Sequence, residues 1–91
     1  MKTTAFNPFE FAESQEEINE ILIEAFNDED PGTFIAALGF LAKHYGMTNL
    51  ARETGLNRES LYKTFRKGTK PQWETIVKLL RALNVKLTVA T

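Results

Sequence analysis

Residues 47–68, Met-Thr-Asn-Leu-Ala-Arg-Glu-Thr-Gly-Leu-Asn-Arg-Glu-Ser-Leu-Tyr-Lys-Thr-Phe-Arg-Lys-Gly, constrain the fold more than any other part of this chain. Two short helical patterns meet at Gly55, a residue that takes the left-handed backbone of a tight turn at little cost. The pattern predicts a helix from Thr48 to Thr54 that buries Leu50 and Ala51. Leu56 then fills the angle of the turn, and Asn57 caps a second helix running to about Arg66. On that helix Leu61 and Phe65 fall on one side, with Arg58, Glu59 and Lys63 on another. One side is to be buried; the other is offered to a partner.

The flanking sequence supplies a scaffold. Phe6, Phe9 and Phe11 around Pro8 are expected to dock an irregular N-terminal segment onto the core. Ser14 and Glu17 form a capping-box pattern opening a first helix, with Ile18, Ile21, Leu22, Ala25 and Phe26 as its apolar stripe. Asp30 caps a second helix with Pro31 in its first position, where a missing N–H costs nothing. Phe34, Ala37, Leu38, Leu41 and Tyr45 mark its buried side, and Gly46 ends it. After the loop Lys67-Gly68-Thr69-Lys70-Pro71, a fifth helix from about Gln72 to Leu83 is expected to bury Trp73, Ile76, Val77, Leu80 and Leu83. Asn84 suits the left-handed residue that closes it. Val85, Leu87 and Val89 alternate with Lys86, Thr88 and Ala90, which reads as one strand. The expected architecture is therefore all-α, five helices with a short C-terminal β-strand. Residues 1–30 form an N-terminal arm and acidic helix, and residues 31–91 the main domain.

Net charge, −1 overall, hides a division along the chain. Residues 1–33 hold one Lys against nine acids, while residues 34–91 hold ten Lys and Arg against three Glu. A basic part of this kind points to a polyanionic partner. On the acidic part, Glu13/Glu17, Glu16/Glu20 and Glu20/Glu24 are like-charge pairs four apart, mildly unfavourable on an isolated helix. Two readings of the division stay open: the halves attract each other, or the acidic face meets a basic partner.

Chemistry of the enzymatic kind has little to work with. There is no Cys, a single His (His44) without metal-ligand company, and no Gly-rich phosphate loop. No cofactor is expected. No apolar run approaches the roughly 20 residues of a membrane span, and the N-terminus does not read as a secretory signal, so a cytoplasmic location is expected.

The helix pair, the basic loop and the following Trp/Ile/Leu helix ending in Ala-Leu-Asn-Val resemble the lambda-repressor-like (Xre) helix-turn-helix family over about residues 33–85. Within it, residues 47–62, the early Asn-Pro-Phe-Glu-Phe and the Asp-Pro helix start look most like the addiction-module antidote proteins related to HigA. Two departures stand out. Thr48-Asn49 leads straight to Leu50-Ala51 where the family usually has two more residues, and the loop after Phe65 is slightly longer.

The resemblance implies a bacterial, nucleoid-associated DNA-binding antitoxin of a type II toxin–antitoxin module. Such a protein represses its own operon, binds operator duplex as a homodimer and neutralises a small basic RelE/HigB-like toxin. The alternative is a free-standing transcriptional regulator with no toxin. In a recognition helix the first residues lie nearest the bases. Arg58 suits guanine O6 and N7, and Glu59 suits the cytosine amino group. Asn57, Ser60, Tyr62 and Lys63 complete the helix face, while Thr48, Asn49, Arg66, Lys67 and Lys70 are candidates for phosphate contacts. A competing reading leaves Arg58 and Glu59 as solvated first-turn residues. A single module covers a small site, so two half-sites and a dimer are expected, with strand 85–90 pairing across it.

Overall fold

The computed structural model describes residues 7–66 and 68–85. A 3-10 turn, Pro8–Phe11, is followed by five α-helices: α1 (Gln15–Phe26), α2 (Pro31–Tyr45), α3 (Met47–Thr54), α4 (Arg58–Thr64) and α5 (Trp73–Ala82). No strand occurs among the described residues. The expected strand over 85–90 lies outside them except for Val85, which is buried in the core.

The helices α1, α2 and α4 each start at a residue whose side chain caps them. Ser14 Oγ accepts the Glu17 N–H at 3.2 Å, and Glu17 Oε1 reaches back to the Glu13 N–H, one residue earlier than in the usual capping box. Asp30 Oδ1 accepts from Gly32 N–H at 2.9 Å, with Pro31 in the first helical position. Asn57 Oδ1 accepts from Ser60 N–H at 2.7 Å. At the far end, Asn84 takes φ 60 and a Schellman pair closes α5: Val85 N–H donates to Leu80 C=O at 2.8 Å, Asn84 N–H to Arg81 C=O at 3.1 Å.

One apolar cluster joins every element. Phe9 from the 3-10 turn, Leu22 from α1, Leu38 and Leu41 from α2, Leu50 from α3, Leu61 from α4 and Leu79 from α5 are all buried in it. Asn7 Nδ2 fastens the 3-10 turn to α2 by donating to Phe40 C=O at 2.9 Å. The helix α3 lies against α2, α4 and α5, so it is the hub through which α4 is placed.

Several sequence expectations need correction. Phe11 is 71% exposed, because a 3-10 turn repeats every three residues and Phe11 sits two-thirds of a turn from buried Phe9. Phe26, the last residue of α1, is also exposed, resting edge-on against Phe34 at 5.4 Å. Trp73 is 68% exposed; its periodicity is right, but it is the first residue of α5 and burial begins with Ile76 one turn on. Leu79, absent from the expected stripe, is fully buried. The helix α3 starts at Met47, whose side chain is buried, and α4 stops at Thr64. There the Arg66 N–H turns to Lys63 C=O, tightening the last turn. Tyr45 is partly exposed, and its hydroxyl donates to the Glu53 carboxylate at 2.7 Å, bracing the end of α2 against α3. That bond, together with desolvation, raises the Tyr45 pKa above the usual tyrosine value.

Candidate nucleic-acid interface

Successive residues of an α-helix turn by about 100°, so the seven residues of α4 make two sides. Leu61 and Thr64 face inward, and Phe65, the C-cap, is half-buried beside them. Arg58, Glu59, Tyr62 and Lys63 are exposed and share an arc of roughly 140° on the opposite side. The division of charged from apolar positions is the one the sequence predicts. Ser60 lies at the boundary, half-buried, with its carbonyl accepting the Thr64 hydroxyl at 2.9 Å.

The close approach of Phe65, the residue that ends α4, to α2 requires Gly39. A Cβ there would stand 3.1 Å from Phe65 Cβ and 3.2 Å from its Cγ, so any side chain would press Phe65 outward. Between α3 and α4, Gly55 takes φ 78, the left-handed turn expected of it. Thr54 ties this corner from within. Its hydroxyl donates to Leu50 C=O at 2.8 Å and accepts the Leu56 N–H at 3.2 Å. The turn is thus held by a hydroxyl that periodicity did not single out.

Arg58 is not splayed into solvent. Its guanidinium lies 5.8 Å from the centroid of the Tyr62 ring, and Nη2 donates to the Tyr62 hydroxyl at 3.2 Å. Cation–π contact at this distance favours one orientation of a side chain that otherwise samples many. Asn57 spends its oxygen on the helix cap, leaving its NH2 group for any further contact. On the first turn of α3, Thr48 and Asn49 are exposed, and Asn49 Oδ1 accepts from Arg52 Nη2 at 2.6 Å. The sequence pattern did not single out Arg52; its i, i+3 spacing from Asn49 was the available signal.

Beyond α4, Arg66 and Lys70 are exposed, and Lys67 lies outside the described residues. Thr69 fixes the loop between them, its hydroxyl donating to Lys63 C=O at 3.0 Å and its N–H to Arg66 C=O at 3.1 Å. Among the described residues, no group of three or more His, Cys, Asp or Glu is placed to hold a metal, and no helix is long and apolar enough to cross a membrane.

Comparison with known proteins gives two matches. A family model described as "Probable addiction module antidote protein" matches residues 2–91. An uncharacterized protein of Haemophilus influenzae is 33% identical over 84 residues, 92% of this chain and 87% of the relative. No solved structure matches.

Proposed function

The chain belongs to the probable addiction module antidote family, and from that premise we propose that it is a DNA-binding antitoxin of a type II toxin–antitoxin module. In this reading it is a HigA-related, Xre-type helix-turn-helix protein with α4 as its recognition helix. As a dimer it represses its own operon in the bacterial cytoplasm, and it neutralises a RelE/HigB-like toxin. The observation that carries the DNA half is the arc of Arg58, Glu59, Tyr62 and Lys63 over a packed underside. Arg58 and Lys63 offer donors to guanine, Glu59 an acceptor to cytosine. Thr48, Asn49, Arg66, Lys67 and Lys70 flank them as phosphate contacts, which fix register without carrying sequence information. The reading gives the chain no catalytic role and no cofactor.

Binding to a labelled duplex cut from the chain's own promoter, followed by fluorescence anisotropy, tests this. With Arg66, Lys67 and Lys70 of each protomer neutralising about six phosphates in the dimer, doubling the salt concentration should weaken binding about forty-fold. An affinity for that duplex no greater than for unrelated DNA at every salt concentration would reject the DNA-binding reading.

A further inference from the structure

Outside α4, the surface is most distinctive where the 3-10 turn meets α1. A groove of 330 Å³ opens there, with Phe11, Ala12 and Ile21 among its walls and Glu17, Glu20 and Glu24 along its rim. The three carboxylates stand at i, i+3 and i+7, a single stripe over about 10 Å of helix. Among the described residues, these carboxylates face no basic side chain of the same chain at ion-pair distance. Phe11 adds an exposed aromatic ring beside Ile21, which is half-buried.

The geometry points to this groove as the docking site for the toxin, through a basic amphipathic segment of that partner. An apolar side chain would seat against Phe11 and Ile21, while Lys or Arg side chains one helical turn apart would meet Glu20 and Glu24. Charge complementarity selects this occupant. An acidic segment would be repelled, and a purely apolar one would leave the carboxylates desolvated without partners. The assignment rests on the antitoxin reading above and adds to it a place on the molecule. It also separates two jobs: toxin capture on α1 and the 3-10 turn, DNA contact on α4.

The test co-expresses the full chain with the product of the gene adjoining its own, and compares the wild type with Phe11→Ser/Glu20→Lys/Glu24→Lys. Glu20 and Glu24 are exposed helix positions and Phe11 is 71% exposed. Thermal melts of both proteins, and a second variant, Glu20→Lys/Glu24→Lys, that leaves Phe11 in place, separate loss of docking from loss of fold. Growth arrest by the neighbour's product and its rescue by the wild type establish the toxin pair. The inference then expects the triple variant to lose rescue and to bind the purified toxin at least about thirty-fold more weakly, the cost of one central aromatic anchor. Its promoter binding should be unchanged. Equal toxin binding by both proteins overturns the groove and leaves the antitoxin reading standing. A neighbouring product that the wild type neither binds nor neutralises removes the antitoxin reading itself. Wild-type protein that self-associates in sedimentation, with the variant dispersed, assigns the groove to a second copy and also overturns the inference.

Discussion

Arg58→Ala combined with Lys63→Ala is expected to remove tight binding to the promoter duplex and leave the protein folded. A well-formed side-chain-to-base pair contributes about 1–3 kcal/mol of discrimination, so losing two should weaken specific binding by about thirty-fold at the least. Both side chains are exposed, and among the described residues the two substitutions remove only the Arg58–Tyr62 stack from within the protein. An exposed cation–π pair contributes about 0.5–1 kcal/mol, and alanine's better helix propensity offsets part of that. Thermal melts followed by circular dichroism should therefore nearly superimpose while anisotropy curves separate. Separation in the melts of the same size as the loss of binding would show that the two residues serve the fold instead.

The converse holds for Leu61→Ala. Leu61 is fully buried beneath the exposed arc and is the main apolar anchor of a helix of only seven residues. Truncating such a leucine costs about 2–5 kcal/mol, the forfeited transfer energy plus the cavity it leaves. In a domain of this size each kcal/mol lowers the melting temperature by about 4–8 °C, so a fall of at least about 8 °C is expected. DNA binding should fall as well, but only in proportion to the unfolded fraction and to any tilt that α4 acquires. A melt unchanged in this variant would mean that α4 is not held by its underside.

Local chemistry made much of the fold legible. Ser14, Asp30, Asn57, Gly55 and Asn84 act through their own backbones or those of near neighbours, and each stands where its residue type predicts. What failed was periodicity near helix ends. Trp73 and Phe26 lie on plausible faces, but at the first residue of α5 and the last of α1 there is too little neighbouring structure to bury them. Phe11 failed for a different reason: the segment is a 3-10 turn with a period of three, and no capping signal beyond Asn7 and Pro8 marks it.

The candidate interface was legible in the same uneven way. Which residues of α4 point outward follows from spacing alone. That Arg58 lies over Tyr62, that Thr54 closes the corner, and that Gly39 lets Phe65 come close are tertiary facts. The groove at Phe11 and Ile21 was not foreseen, since it depends on Phe11 facing away from the core.

Chemical-shift mapping of the isotope-labelled full chain against its promoter duplex bears most directly on where nucleotides dock. Stoichiometric addition should move the amides of residues 57–63 and of Thr48 and Asn49, with α1 left in place. Shifts confined to α1 and the 3-10 turn, or none at saturating duplex, would contradict the assignment of α4 to the major groove.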